Sequence, residues 1–285
     1  MQKGISLHLG LNFVDSNHYG GWDGTLYACE NDAQDMFSIA RTNGYIESTV
    51  LLSRNATRAN FIYKTKEIAS KLETGDIFFL SYSGHGGKLP DWSGDEWDHQ
   101  DETWCLYDGQ LIDDELSALW TLFKPGVRIL VVSDSCHSGT ITRDINSKEE
   151  SYIVYNNENK IYRAMPNEIA TRTFRNNKDY YEGLFNSLKE NIKEEVIEKS
   201  PKAFQENATV ILLSGCQDNQ LSMDGSFNGL FTGNLLRVWD NGRFMGNYYQ
   251  FYKYILMRMP STQSPNYFVT GAYNPNFELQ RPFQI

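Results

Sequence analysis

No run in this 285-residue chain is long enough to cross a bilayer, which takes about 18 or more consecutive apolar residues. The first residues, MQKGISLHLGLNF, also lack an apolar core of about 7–15 residues followed by a small-residue cleavage site. Neither a membrane partner nor a secretory leader is expected. Positive charge is in short supply: 26 basic residues face 36 acidic ones, a formal charge of −10. That balance argues against nucleic acid or an anionic membrane surface as partner. It suits a cationic substrate, and it equally suits a protein that uses charge only for solubility. Cysteine is scarce too. Cys29, Cys105, Cys136 and Cys216 are far apart and form no C-x-x-C pair, and a chain of this length has core enough without disulfides. The expectation is free thiols in a reducing compartment, the cytoplasm. No internal repeat and no low-complexity tract interrupts the sequence.

Short apolar runs do alternate with longer amphipathic segments. The pattern predicts strands over 5–13, 49–52, 77–82, 128–133, 209–213 and 266–270. It predicts helices over 30–43, 57–72, 111–123, 229–241 and 248–259, from apolar residues at helical spacing such as Ala33, Met36, Phe37 and Ala40. Thr57 is the expected N-cap of the second helix, and Pro125-Gly126 ends the third. Strands that alternate with helices form a mostly parallel sheet with helices on both faces, an α/β fold. Residues 143–207 break the rhythm. They are polar, rich in Asn, Lys and Glu, and separate two strands that read as neighbours. Their second half, 180–199, has helical spacing through Leu184, Leu188, Ile192 and Val196. A long polar insertion inside a compact unit is usually functional or mobile; a plain exposed insertion is the alternative.

Two strand ends carry the chemistry. One is Ser81-Tyr82-Ser83-Gly84-His85-Gly86-Gly87; the other is Ser133-Asp134-Ser135-Cys136-His137-Ser138-Gly139. Both follow apolar runs, at the sheet edge where open α/β folds bind ligands. Side chains alternate along a strand, so Asp134 and Cys136 share one face, and Ser83 and His85 another. His137 then points away from the thiol, which leaves His85 as the better base for Cys136. A Cys–His pair raises thiolate content and supplies a proton to a leaving amine. The N–H groups of Gly86 and Cys136 are candidate oxyanion donors. The alternative is a pair of unrelated core residues, since a lone Cys in an apolar run is usually core. A zinc site from His85, His137 and Cys136 lacks ligand spacing and would consume the nucleophile. Cys105 and Cys216 read as core. The aromatic-rich segment 244–251 reads as helix packing rather than a nucleobase platform.

These residues resemble the metacaspases, a branch of the caspase-like cysteine peptidases. The histidine and cysteine motifs above carry the resemblance. Cys29-Glu30-Asn31-Asp32-Ala33, Leu213-Ser214-Gly215-Cys216-Gln217-Asp218-Asn219-Gln220 and the C-terminal Gln263-Ser264-Pro265-Asn266-Tyr267 and Gln280-Arg281-Pro282-Phe283 extend it, sparing the insertion. The resemblance implies a caspase-like three-layer sandwich with a sheet of about six strands, built over residues 1–142, resumed over 208–285, with 143–207 as a candidate processing loop. It implies Cys136 as nucleophile, His85 as base, and a primary specificity pocket lined by Asp32 and Asp134 with Ser83 and Cys29 nearby. Two carboxylates in a narrow pocket repel unless a cation intervenes. An Arg or Lys before the scissile bond would satisfy them, and Arg would do so bidentately. Other readings remain for the two acids: Asp134 as an orienter of His85 or of a loop, and Asp32 as a favourable charge at a helix N-terminus.

The stretch 91–102 is acidic and lacks EF-hand spacing. Many metacaspases use calcium, and by position the resemblance implies Asp101, Asp113 and Asp114 as ligands, with Asp144 aligned only loosely. Oxygen ligands suit Ca²⁺; the alternative is a solvated acidic loop and an acidic helix start. No organic cofactor is implied. In the insertion, Lys148, Lys160, Arg163, Arg172, Arg175 and Lys178 are candidate self-cleavage sites, with cleavage expected between Arg143 and Lys202. The resulting expectation is a cysteine endopeptidase acting after Arg or Lys on protein or peptide substrates, monomeric like metacaspases generally. The rivals are a catalytically silent caspase-like adaptor, an Asp-specific peptidase and a locked zymogen.

Overall fold

The computed structural model describes residues 2–90, 100–136, 161–184, 186–187, 208–216 and 222–285. Six strands form its centre: β1 (Gly4–Gly10), β2 (Glu47–Leu52), β3 (Ile77–Ser83), β7 (Arg128–Asp134), β8 (Thr209–Ser214) and β9 (Asn266–Gly271). They make one sheet in the order β2-β1-β3-β7-β8-β9. Neighbours pair in parallel except β8 and β9. β3 (IFFLSYS) and β7 (RILVVSD) are buried along their whole lengths, as central strands covered on both faces must be. Strands from both sides of the insertion join this one sheet.

Helices cover each face. On one side α2 (Arg58–Lys71) and α3 (Asp113–Trp120) pack Phe61, Ile68, Leu119 and Trp120 over Leu7, Leu9, Phe78, Leu80, Ile129 and Val131. On the other, α1 (Cys29–Thr42), α5 (Leu230–Trp239), α6 (Tyr248–Leu256) and α7 (Pro275–Leu279) bury Met36, Leu235, Phe251 and Phe277 against Phe79, Leu130, Val132 and Ile211. The three-layer α/β sandwich with a mostly parallel sheet is thus the observed architecture. Thr57 caps α2 by accepting from the Asn60 N–H at 3.2 Å. The chain leaves β1 towards β2 on one side and returns to β3 on the other, so the strand order reverses beside β1. Ligands in such sheets bind at the carboxyl ends next to that reversal.

Three parts differ from the pattern read in sequence. A second, antiparallel sheet, β4 (Gly86–Pro90), β5 (Gln100–Leu106) and β6 (Gly109–Ile112), follows the histidine motif. Its strands mix polar and apolar residues without clean alternation, so they carry no strand signal. Leu111 and Ile112 belong to β6, and the third helix starts only at Asp113. The insertion, polar in sequence throughout, contains α4 (Asn167–Asn176), which buries Ile169 and Thr173. Of the helix expected over 180–199, residues 180–184, 186 and 187 are helical, and residues 188–199 lie outside the described residues. No described helix is long and apolar enough to cross a membrane.

Candidate active site

The carboxyl ends of β3 and β7 lie side by side, with Ser83 opposite Asp134 in register. Just beyond them stand His85 and Cys136, both buried. The His85 backbone is pinned: its carbonyl oxygen accepts from the Tyr82 hydroxyl at 2.7 Å and from the Cys105 N–H at 2.9 Å. Its ring rests against Trp22, with centroids 4.7 Å apart, and Nε2 lies 3.0 Å from the Gly24 carbonyl oxygen. A carbonyl only accepts, so Nε2 carries the hydrogen and Nδ1 keeps a lone pair. Nδ1 is buried with no hydrogen-bond partner among the described residues. Burial holds the imidazole down at about 4, so it is neutral at pH 7. Gly24 has φ +57°, and a Cβ there would come within 3.1 Å of the His85 ring; glycine is what both the backbone and the ring demand.

The Cys136 Sγ lies against the Ser222 backbone, touching its N–H and 3.6 Å from its carbonyl oxygen. It makes no hydrogen bond to Nδ1 of His85. The strand-end geometry does hold for the backbone. The N–H groups of Gly86 and Cys136 converge on a single acceptor, at 3.0 and 3.1 Å. That acceptor is the carbonyl oxygen of Arg163.

Arg163 belongs to the insertion, yet its side chain is completely buried. The segment around it lies along the site as an extended peptide. The Arg163 N–H donates to the Ser222 carbonyl at 2.9 Å, and the Ile161 carbonyl accepts from the Asp224 N–H at 2.8 Å. Tyr162 bridges Met223 antiparallel and Ala164 bridges Gly86 in parallel. Beyond Ala164, the Met165 N–H donates to the Gly86 carbonyl at 2.7 Å.

The guanidinium enters a carboxylate pocket. Nη2 is 2.7 Å from Asp32 Oδ2 and 2.9 Å from Asp224 Oδ1; Nη1 is 3.0 Å from Asp134 Oδ2. Nη1 also donates to Ser83 Oγ at 2.8 Å and to the Asp134 carbonyl at 3.2 Å. The acids are held from behind. Asp32 sits in the first turn of α1 and accepts from Ser83 Oγ (2.8 Å), Asn228 Nδ2 (2.9 Å) and the Gly229 N–H (3.1 Å). Asp134 accepts from the Thr232 N–H (3.0 Å), Thr232 Oγ1 (2.7 Å) and Ser222 Oγ (2.6 Å). These partners do not include His85, so Asp134 does not orient the imidazole; the Gly24 carbonyl does. Gly229 closes the pocket, since a Cβ there would meet the guanidinium at 2.6 Å. Burial pushes the Asp32 carboxyl up to about 6, against the pull of Arg163 and with the push of Asp134. Burial disfavours the Arg163 charge, but Asp134, Asp32 and Asp224 outweigh it and hold the guanidinium charged. Cys29 is buried nearby at the start of α1, and burial holds its thiol protonated.

The sequence motifs pick out His85, Gly86, Cys136, Asp32, Asp134, Ser83 and Cys29, and these residues gather at one site. The motifs miss Asp224, Ser222, Gly229, Trp22 and Gly24, which stand in loops with no recognisable spacing. Cys216, expected in the core, is buried with its Sγ 3.2 Å from the Ser135 carbonyl oxygen, beside Cys136. Of the residues tied to calcium, Asp101 and Asp114 both come within electrostatic range of Asp113. Burial, then the charges of Asp114 and Asp101, push the Asp113 carboxyl up to about 7. Their oxygens are the donor chemistry calcium takes. As positioned, no three acidic, His or Cys groups among the described residues converge on one point. Asp144, His137, Lys148 and Lys160 lie outside the described residues.

The model of the caspase domain family matches residues 13–281, and the chain belongs to that family. Metacaspases are among its curated relatives. Metacaspase-1 of Schizosaccharomyces pombe is 30% identical over 254 residues, 82% of this chain and 58% of that protein. Metacaspase-1 of Saccharomyces cerevisiae is 31% identical over 253 residues, 80% of this chain and 56% of that protein. The chain thus spans a little over half the length of these relatives. A crystallised Geobacter sulfurreducens protein is 49% identical, with a TM-score of 0.84 over 99% of this chain and 98% of its own. Caspase-1 of Spodoptera frugiperda, 10% identical with a TM-score of 0.52 over 95% of this chain and 88% of its own, shares the fold.

Proposed function

We propose that the protein is a cysteine endopeptidase that cleaves after arginine or lysine, and that Arg163 occupies its cleft as a substrate in cis. The observation that carries the reading is the double hydrogen bond to the Arg163 carbonyl oxygen from the Gly86 and Cys136 N–H groups. Two converging N–H groups on a carbonyl beside a cysteine are the preorganised donors that acyl transfer needs. The same residue's guanidinium fills the acidic pocket, so the peptide unit and the side chain are held in one register.

The chemistry follows from the residues. His85 is neutral and keeps a lone pair on Nδ1, the state a general base requires at pH 7. The Cys136 thiol turns from Ser222, gives its proton to Nδ1, and the sulfur attacks the carbonyl carbon. Charge collects on the oxygen held by Gly86 and Cys136. The carbon–nitrogen bond breaks as the imidazolium returns its proton to the leaving amine, and a thioester remains. Water, deprotonated by the same imidazole, then displaces the sulfur, which recovers its proton.

In the uncut chain the scissile bond would be Arg163–Ala164, inside the expected 143–202 window. The downstream side is anchored through buried Met165, Ile169, Thr173 and Tyr181. Self-cleavage would therefore free the residues before Ala164 and open the pocket, making the uncut chain a zymogen. An Asp-specific reading would make Arg163 the anion receptor, but its charge is already met by Asp32, Asp134 and Asp224. A silent adaptor has no use for the His85 and Cys136 arrangement.

Calcium control at Asp101, Asp113 and Asp114 belongs to the proposal as a separate element. Bound there, the ion would neutralise crowded carboxylates; no step of the peptide cleavage runs through it. A reducing, cytoplasmic setting suits four cysteines that are all free and buried, and the resemblance to metacaspases supports a monomer.

The test is a panel of fluorogenic peptides with Arg, Lys or Asp before the leaving group. Each is run with calcium and with chelator, on wild type and on Cys136→Ala. Turnover of the Arg and Lys peptides that vanishes in Cys136→Ala is the expected result. Turnover only after Asp, or turnover that survives in Cys136→Ala, overturns the proposal.

A further inference from the structure

We propose that Asp224 is a third specificity-determining carboxylate of the pocket and that it makes the enzyme select arginine over lysine. The inference rests on the reading of Arg163 as a substrate bound in cis, and it adds a residue that neither strand-end motif contains.

Asp224 stands on the loop after β8 and meets the bound peptide twice. Its N–H donates to the Ile161 carbonyl at 2.8 Å, which fixes the backbone two residues before Arg163. Its carboxylate meets the guanidinium. Oδ1 accepts from Nη2 at 2.9 Å and from Nε at 3.3 Å. The other oxygen, Oδ2, accepts from the Tyr27 N–H at 2.7 Å. Asp224 is thus tied to the segment leading into α1 on one side and presents a single oxygen to the guanidinium edge on the other. Its side chain is fully buried, so water does not compete for that oxygen.

The three acids divide the guanidinium among them. Asp134 and Ser83 take Nη1, Asp32 takes Nη2, and Asp224 takes the Nε–Nη2 edge. Among the described residues, only Asp224 reaches Nε. A guanidinium offers five N–H donors in a flat fork, and this pocket meets all three of its nitrogens. A lysine ammonium is one point at the end of a shorter reach. Its Nζ falls where the arginine Cζ stands, one bond short of Nη1 and Nη2, and a methylene carbon takes the place of Nε. Drawn deeper to reach Asp32 and Asp134, it would leave the Asp224 oxygen buried without a donor, which is costly. Asp32 and Asp134 alone select a positive charge; Asp224 adds the shape of arginine.

Asp224→Asn keeps the volume and the loop, and removes the charge. Two measurements read its effect. In the first, kcat/KM is taken for matched Arg and Lys peptides. The loss of one charge-assisted hydrogen bond is expected to cut the Arg value by about 10- to 100-fold and the Lys value far less, so the Arg:Lys ratio falls by about tenfold or more. In the second, Arg163→Lys and Asp224→Asn are made singly and together in the uncut Cys136→Ala chain, and thermal unfolding is followed. Arg163→Lys should lower Tm by several degrees when Asp224 is present. It should lower Tm by less than half as much when Asp224→Asn is already in place.

An Arg:Lys ratio unchanged in Asp224→Asn, beside a wild type that turns over the Arg peptide, overturns the role of Asp224 and leaves the peptidase reading standing. A wild type that has been cut at Arg163–Ala164 and is still silent on both peptides removes the peptidase reading, and the unfolding series then decides alone. Coupling between positions 163 and 224 supports selection of the guanidinium, and strict additivity overturns it.

Discussion

The Arg163 guanidinium lies 2.7 Å from the Asp32 carboxylate, and both side chains are closed off from solvent. Breaking a buried ion pair by removing one partner typically costs about 3–5 kcal/mol. Arg163→Ala would leave Asp32, Asp134 and Asp224 facing one another. In the Cys136→Ala background it should lower stability at pH 7.5 by about 3 kcal/mol or more, read by urea unfolding. The loss should shrink at pH 5. Asp32 already titrates near 6, above its ordinary value, and without the cation it rises further. A carboxyl with a raised folded pKa is less destabilising once the pH falls below it. An equal loss at both pH values would mean that the carboxylates do not face one another in the vacated pocket.

Met165 offers a way to loosen the bound segment without touching the site chemistry. It is buried, and its side chain packs over Gly87, where a Cβ would come within 2.6 Å of Met165 Cε. Met165→Ala removes an anchor worth about 2–5 kcal/mol. Initial rates on Arg peptides, taken before any self-cleavage, should rise several-fold over wild type. No rise in a folded Met165→Ala protein would argue that the segment does not gate the cleft.

His85 carries a pH signature. Its folded value of about 4 lies below the ordinary 6.5, so the unfolded state binds a proton that the folded state refuses. Stability is therefore lost as pH falls from about 6.5 towards 4, by about 2 kcal/mol between pH 7 and pH 5. His85→Gln should abolish peptidase activity and make that fall shallower, leaving the part that buried His8, held down at about 3, contributes in the same direction. Parallel profiles for wild type and His85→Gln would contradict the buried, neutral imidazole.

Asp113 tests calcium. Its carboxyl sits near 7 through burial and the charges of Asp114 and Asp101. Calcium that binds only the folded chain raises stability by about 2.7 kcal/mol at a hundredfold excess over its Kd. Melting curves of the Cys136→Ala chain should shift upward with calcium and return with chelator, and Asp113→Asn should reduce the shift. A shift of equal size in Asp113→Asn would move the ion elsewhere.

The legible parts of the molecule are those whose signal is local. β3 and β7 are continuous apolar runs ending on small and polar residues, so Ser83, His85, Asp134 and Cys136 can be assigned to the sheet edge by counting along the strand. The second sheet is not legible, because GGKLP, QDETWCL and GQLI carry no periodic pattern. The burial of Arg163 is hidden for a different reason. Its charge is compensated by Asp32, 131 positions away, and Asp224, 61 positions away. Nothing in a polar stretch of the insertion distinguishes an arginine that enters a pocket from its exposed neighbour Arg175. Asp224 shares that obscurity, since its meaning depends on a guanidinium brought from elsewhere in the chain.

The most direct measurement is the N-terminal sequence and intact mass of the fragments formed when the purified chain is incubated with calcium. The account predicts one new N-terminus at Ala164, formed by wild type and not by Cys136→Ala. A chain that stays whole while it cleaves Arg peptides, or a first cut at another bond, would contradict the assignment of Arg163 as the substrate in cis.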